Sequence, residues 1–388
     1  MLFIRRAIER EVLKATNGFS ALLVTGPRRA GKTTLLRKLF PKASYYLLED
    51  PELILRLRTD PHGFLEEVKT PVILDEIQNA PELLNYIRTL IDHHPERKGQ
   101  WLLTGSQEAP LMKGVSESMA GRVAIFQLLP FSLEETAKVS VFRGGFPEVL
   151  SRPRLASTWF RSYLQTYLER DVRAITSIRD LAVFRKFLSL LASRIGTMLN
   201  KTELASPLGV SVPTITEWLS ILEITGQIMI IPPFFENFGK RLIKSPKLYF
   251  TDTGLLCWLL GIEHEAQLAR SSFAGSVFEN FVASEIVKHQ IHSGQRKELY
   301  YFRDEQGLEV DFIVPHGVQR LLLLEVKATK TVKPDMAHSM GRLAKAILRY
   351  DVEKAVIYQD SKKHAAITTA LSPGVKAIPV SRLFDVLR

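Results

Sequence analysis

The chain has one cysteine in 388 residues, Cys257. A single thiol cannot close an internal disulfide, and its setting, LLCWLL, points to a core position. No apolar run reaches the roughly 18–20 residues that a membrane helix needs. The opening, MLFIRRAIERE, has two arginines and then an amphipathic helical pattern. It lacks the long apolar core and small-residue cleavage site of a secretory signal. These absences lead to the expectation of a cytoplasmic protein with no membrane contact. Acidic residues are also outnumbered, 41 Asp and Glu against 52 Lys and Arg, for a net charge of +11. That balance favours a polyanionic partner, nucleic acid or nucleotide, with an unspecialised basic surface as the alternative. What is present is an ordinary globular composition, 46% hydrophobic and 24% charged, in a chain long enough for two or three domains.

The first informative stretch is ALLVTGPRRAGKTTLLRKLF. It places Gly26-x-x-x-x-Gly31-Lys32-Thr33 between an apolar strand at 21–24 and a helical repeat of Leu35, Leu36 and Leu39. Strand, glycine loop and helix in this order predict a P-loop, whose backbone N–H groups and helix N-terminus cradle phosphates. Lys32 is expected on the β- and γ-phosphates, Thr33 on Mg²⁺, and Gly26, Gly31 and Thr34 around the nucleotide. Next, TPVILDEIQ ends a buried strand in Asp75-Glu76, where an open parallel sheet gathers ligand-binding groups. Asp75 supports the metal and Glu76 polarises an attacking water. Such a pair also caps helices, but beside a P-loop it points to hydrolysis. A further strand at 101–104 ends in Thr104, Ser106 and Gln107, which sense a γ-phosphate or simply form a turn. Arg122 opens another strand, either as an arginine finger across a subunit boundary or as a loop charge. LPFSLEE predicts a helix start with Ser132 as N-cap and Glu135 three residues on.

These segments together resemble the AAA-type ATPases of bacteria and archaea, and more narrowly those carrying a nuclease-like C-terminal domain, across nearly the whole chain. The resemblance implies ATP hydrolysis coupled to movement, with a homo-oligomeric, hexameric ring as one assembly.

Amphipathic helices follow from Trp159 to Leu191, with Glu169, Arg170 and Asp171 on a solvated or interdomain face. Asn200 or Thr202 then caps a short helix, Pro207-Leu208-Gly209 turns the chain, and Ser211 caps a second helix before a strand. This order resembles a winged helix, although Thr214, Thr216 and Glu217 are poor phosphate grips. Lys240, Arg241, Lys244 and Lys247, with Phe235 and Phe238 nearby, suit a nucleic-acid backbone or a solvated hairpin.

In LEVDFIVPHGVQRLLLLEVKATK, two strands flank a turn. Alternation puts Glu309, Asp311 and Ile313 on one face and Val310, Phe312 and Val314 on the other. Leu321, Leu323, Glu325 and Lys327 share a face of the second strand. Pairing sets Asp311 opposite Glu325, and carboxylates that close call for a cation, with Mg²⁺ on Asp311 and Glu325 the natural candidate. Glu279, on a helix upstream, could add a further acidic group, and Lys327 could orient a metal-bound water. The set resembles the PD-(D/E)xK nuclease core; a surface hairpin of paired charges and a DNA-gripping pseudonuclease are the competing readings. A helix and a strand at KAVIYQ would complete a small α/β sheet.

The expected architecture is therefore α/β: a P-loop AAA-type ATPase domain at 1–155, a helical and winged-helix connector at 156–235, and a nuclease-like domain at 236–388. The expected activity is ATP hydrolysis acting on DNA and coupled to Mg²⁺-dependent phosphodiester cleavage, with Glu76, Arg122, Glu279, Asp311, Glu325 and Lys327 as catalytic groups. The alternatives are a nucleotide-dependent regulatory switch or a DNA motor that cuts nothing.

Overall fold

A computed structural model describes residues 4–105, 115, 118–168, 181–234, 244–360 and 368–388. The expected sites Ser106, Gln107, Glu169, Arg170, Asp171, Phe235, Phe238, Lys240 and Arg241 lie outside these residues. The first sheet forms from β1 (Ala21–Thr25), β2 (Ser44–Leu47), β3 (Val72–Asp75), β4 (Trp101–Thr104) and β5 (Val123–Gln127). All neighbours are parallel, in the order β2-β3-β4-β1-β5. β1, β3 and β4 are buried along their whole length, because helices cover both faces of a parallel sheet. Leu23, Leu74 and Leu103 pack on Leu84 and Ile87 of the helix Leu83–His93. On the opposite face Leu22, Val24, Ile73 and Leu102 meet Leu35 and Leu36 of the helix Lys32–Leu39. The strands β1, β3 and β4 thus end on one edge, where the P-loop, Asp75 and Thr104 collect.

Gly26 opens that loop with φ 131°, and a Cβ there would lie 2.2 Å from the Leu128 carbonyl oxygen. Only glycine passes so close to the backbone after β5. Gly26→Ala is therefore expected to lower both the melting temperature and ATP affinity, as a thermal scan and a nucleotide titration of one preparation would show. The helix expected from Ser132 is a turn instead. Glu135 does accept the Ser132 N–H at 2.8 Å, but its other oxygen is taken by Arg6 and the Ala7 N–H, both at 2.9 Å. A local capping signal has been drawn into a long-range ion pair.

In the middle part, Asn200 caps the helix Lys201–Ala205, Gly209 turns the chain at φ 65°, and Ser211 caps the helix Val212–Ile224. An antiparallel hairpin of β6 (Ile228–Ile231) and β7 (Lys247–Phe250) follows. The boundary expected at 235 therefore falls between two paired strands. Leu248 and Phe250 of β7 share a core with Phe187, Trp218 and Leu222, as do Leu255, Leu256 and the buried Cys257 beyond them. Apolar packing carries the middle part well past residue 235, because strand pairing is a contact that local composition does not mark.

The last part is a six-stranded mixed sheet, ordered β12-β13-β11-β10-β9-β8, from β8 (Tyr300–Arg303), β9 (Glu309–Pro315), β10 (Arg320–Lys327), β11 (Asp351–Tyr358), β12 (Thr369–Ser372) and β13 (Val375–Pro379). The expected hairpin is β9–β10, and the expected helix His338–Ala346 links β10 to its parallel neighbour β11. The strict alternation expected along β9 breaks down. Val310 packs with Ile313, Leu321 and Leu323, whereas Phe312 and Val314 pack on the opposite side. The β8–β9 register shifts between Tyr300 and Phe302, and a bulge of this kind reverses which face later side chains occupy.

The long helix Ala274–His292 covers the second face and is buried on nearly every side. It is wedged against the sheet, against β7 and against the segment after β5. Its polar residues consequently need partners. Asn280 exchanges two 2.7 Å hydrogen bonds with the Phe250 backbone, Ser284 donates to the Thr251 carbonyl at 2.7 Å, and Lys288 donates to that of Phe131 at 3.1 Å. One helix ties all three parts together.

Candidate nucleotide site and acidic cluster

The first site is built where β1 gives way to the helix Lys32–Leu39. Lys32 is 5% exposed and donates to the carbonyls of Gly26 and Pro27 at 3.0 and 3.1 Å, which holds the loop in a phosphate-ready curve. The Thr33 hydroxyl donates to Asp75 at 2.8 Å, and the Tyr45 hydroxyl donates to the same carboxylate at 2.7 Å. Thr104 also donates to Asp75 and accepts the Glu76 N–H at 3.1 Å. Burial, together with the Asp75 carboxylate, raises the Tyr45 hydroxyl's pKa above its ordinary value, so Tyr45 stays a donor. Thr34, Arg28, Tyr45 and Glu76 line a cavity of about 940 Å³ beside the loop. A hydroxyl and a carboxylate at a helix N-terminus, beside a lysine in a glycine loop, are the hard oxygen donors and positive charge that fit a nucleotide with Mg²⁺.

Glu76 stands at φ 61°, a conformation uncommon for a side chain larger than glycine. Its carboxylate accepts from Gln78 at 2.5 Å and lies 3.8 Å from the Arg28 guanidinium. Arg122 does not join this group. It forms a bidentate pair with Asp92, at 2.6 and 3.0 Å, at the opposite end of β5. A strand of this length separates it from its own P-loop by roughly 16 Å.

The second site gathers residues from five elements. Glu279 of the long helix accepts from the Tyr249 hydroxyl at 2.5 Å and from Lys247 at 3.2 Å. Lys247 also reaches Glu309 at 2.7 Å, and Glu309 pairs with Arg303 at 2.9 Å. Where the β9–β10 ladder ends at Leu324 and Phe312, Asp311 turns to accept the Val326 N–H at 2.8 Å. Lys327 pairs with Glu325 at 2.6 Å, while the second Glu325 oxygen is buried without a hydrogen-bond partner. Burial, then the Glu279 and Glu325 charges, raise the Asp311 pKa well above the carboxylate range. Burial raises Glu325 too, against the pull of Lys327. For Lys247 burial acts the other way, but Glu279, Glu309 and Asp311 outweigh it and raise its pKa.

The four expected groups, Glu279, Asp311, Glu325 and Lys327, thus come together. They do not fit a divalent ion as arranged. Among the described residues no three His, Cys, Asp or Glu side chains are disposed to hold a metal, and the Lys247 ammonium stands between Glu279 and the neighbouring Glu309. Lys247 was expected on a nucleic-acid-facing hairpin; it is 2% exposed and turned inward, because the acids stabilise it there. Lys244, by contrast, is exposed. Motif reading missed Arg28, Tyr45 and Tyr249, and it named Lys247 and Glu309 without placing them in this cluster. A signal existed for two of them, since in KLYF a period of two puts Lys247 and Tyr249 on one face of an otherwise apolar strand.

Residues 18–137 match the family described as an AAA domain, and residues 134–266 and 274–383 match two domains of unknown function, DUF8612 and DUF4143. The second match crosses residue 235, as the packing does. Two curated relatives, the uncharacterized proteins Mb2031c of Mycobacterium bovis and Rv2008c of Mycobacterium tuberculosis, are each 31% identical over 397 residues, covering 99% of this chain and 85% of theirs. Among solved structures, a Walker-type ATPase of Pyrococcus abyssi aligns with a TM-score of 0.45 at 16% identity, over 66% of this chain and 96% of its own. The RuvB Holliday junction branch migration motor of Thermotoga maritima aligns with a TM-score of 0.33 at 18% identity, over 59% and 91%. No described helix is long and apolar enough to cross a membrane. With its full-length likeness to the two mycobacterial proteins, the chain belongs to their family, and at residues 18–137 it carries a P-loop ATPase domain of the AAA type.

Proposed function

We propose that the protein is an ATP-hydrolysing switch that acts on DNA. The observation that carries the hydrolytic half is the single hydrogen-bonded set of Thr33, Asp75, Thr104 and the Glu76 N–H beside Lys32. Lys32 exchanges its two loop carbonyls for the β- and γ-phosphates. Thr33 and Asp75 would hold Mg²⁺, which when bound neutralises phosphate charge. Glu76 accepts a hydrogen bond from the attacking water, and Arg28 fixes the glutamate's direction. Arg122 would reach a γ-phosphate only in a homo-oligomer such as a hexameric ring, by leaving Asp92 for the neighbour's nucleotide.

The DNA half is supported by the net charge of +11 and by the helix–turn–helix and hairpin order of the middle part, which resembles a winged helix. DNA is expected to change the steady-state ATPase rate, and ATP to change DNA affinity measured by fluorescence anisotropy. If each ligand leaves the other's parameter untouched, the coupling is absent and the reading fails.

A second reading, Mg²⁺-dependent cleavage, has its own support in Asp311, Glu325 and Lys327 standing at adjacent strand ends. The lysine already seated among the acids favours the switch over the nuclease.

A further inference from the structure

We infer that Lys247 is the built-in cation of the acidic cluster, and that by filling the place of a divalent ion it keeps that cluster closed to metal. The inference deepens the switch reading, on which it rests, and takes Glu279, Glu309, Asp311 and Glu325 as one acidic cluster.

The acids come from the long helix and the last sheet, but the lysine comes from β7, a strand of the middle part. Its backbone is held by pairing with Ile231 in the hairpin and by an isolated bridge to Met198. Its side chain, 3% exposed, bonds Glu279 at 3.2 Å and Glu309 at 2.7 Å, and its ammonium lies 5.3 Å from the centre of the Tyr301 ring. An ammonium in such a place is desolvated and fully committed to its carboxylates.

The acids are committed in turn. Tyr249 donates to Glu279, Arg303 to Glu309, the Val326 N–H to Asp311 and Lys327 to Glu325. Mg²⁺ requires near-octahedral oxygen ligands at roughly 2.0–2.1 Å and keeps several waters. An ammonium 3.2 Å from Glu279 and 2.7 Å from Glu309 leaves no room beside those two carboxylates for the ion and its waters. One feature shows that the cluster was not built for a lysine alone: the second Glu325 oxygen is buried and unpartnered, in a protein whose other cluster acids all have donors. A polar atom buried this way is costly unless something else comes to meet it. Substituting Lys247, or withdrawing it with β7, is what would admit a divalent ion.

The test uses full-length, nucleotide-free protein and Mn²⁺ alone, with bound ion read from loss of the free Mn²⁺ paramagnetic resonance signal. Wild type is expected to bind no stoichiometric Mn²⁺, Lys247→Met to gain one equivalent, and Lys247→Met with Asp311→Asn to lose it again. Mn²⁺ should also raise the melting temperature of Lys247→Met and leave wild type unmoved, because a ligand stabilises only the state that binds it. If Lys247→Met folds poorly without metal, Mn²⁺ should restore it. A wild type that binds one Mn²⁺ and loses it on Asp311→Asn overturns the inference, as does a Lys247→Met protein that gains no ion or is not restored by it.

Plasmid integrity in the same samples separates this inference from the cleavage reading. Metal gained without cutting leaves Lys247 as the resident cation and removes the nuclease. A wild type that binds Mn²⁺ and cuts does the reverse.

Discussion

Lys32→Ala is expected to reduce ATP turnover by roughly 10²–10³-fold, the range for removing one preorganised charge from a reacting oxyanion. Lys32 opens its helix as the residue after Gly31, and its ammonium already sits inside the loop on two carbonyl oxygens. It therefore meets phosphate with little reorganisation. The alanine variant loses both this charge and the brace that shapes the loop, so nucleotide affinity should fall with turnover. Lys32→Arg should not rescue it, since a planar guanidinium cannot replace a compact ammonium in a pocket where the lysine is 5% exposed. Phosphate release under saturating ATP, beside a melting curve, decides the matter. Undiminished turnover in a folded variant would remove Lys32 from the site.

The second large effect lies at the junction of the parts. Glu135→Ala is expected to destabilise the protein by about 3–5 kcal/mol, the usual result of stripping one partner from a buried ion pair. Glu135 and Arg6 have side chains 1% and 3% exposed and meet at 2.9 Å. Arg6 also donates to the Ala30 carbonyl in the P-loop, at 2.9 Å, and to that of Leu129. Without the carboxylate a guanidinium is left buried beside the nucleotide loop. Urea titration of the variant against wild type measures the loss, and an unchanged midpoint would refute it.

The same junction makes stability depend on pH. His292 accepts the Leu129 N–H on Nε2 at 3.1 Å, so the neutral ring carries its proton on Nδ1, 3.5 Å from Glu135. Burial brings the imidazole down from 6.5 to about 4. Below its ordinary pKa the unfolded chain takes up a proton that the folded chain refuses, so stability falls as pH drops through this window, by up to about 3 kcal/mol. Glu135 continues the trend further down. Its carboxyl is buried, but Arg6 outweighs the burial and holds it at about 2, against 4.5 unfolded, and its contribution is lost as pH falls through that lower range. Urea midpoints at about pH 7 and about pH 5 should differ in wild type, and the difference should shrink in His292→Gln. A slope that survives the substitution assigns the titration elsewhere.

Motifs and caps were legible where the physics is local. Gly26 to Thr33, the Asp75-Glu76 strand end, and the Asn200 and Ser211 caps all act within a few residues, and each forms as its spacing predicts. At Ser132 the local signal forms only in part: Glu135 accepts the Ser132 N–H, while its other oxygen is bound by a residue 129 positions away, and the chain makes a turn rather than a helix. Alternation failed along β9 because a bulge is a property of the strand pair. β6 and β7 pair across the expected boundary at 235, a contact that composition does not mark.

The sequence by itself determined the chemistry available to each site: a phosphate loop with its acidic strand end, and a carboxylate set with its lysine near the C-terminal hairpin. Within each set the residue types recur at fixed positions, in a glycine loop or at a strand end, that the sequence pattern marks. Only the tertiary structure decided how the sites are filled and joined. Lys247 meets Glu279 and Glu309 from 32 and 62 residues away, and Arg6 meets Glu135 across the P-loop. Those pairings cost desolvation that no local pattern reveals, and they persist because each buried charge meets an opposite charge and further hydrogen-bond partners around it.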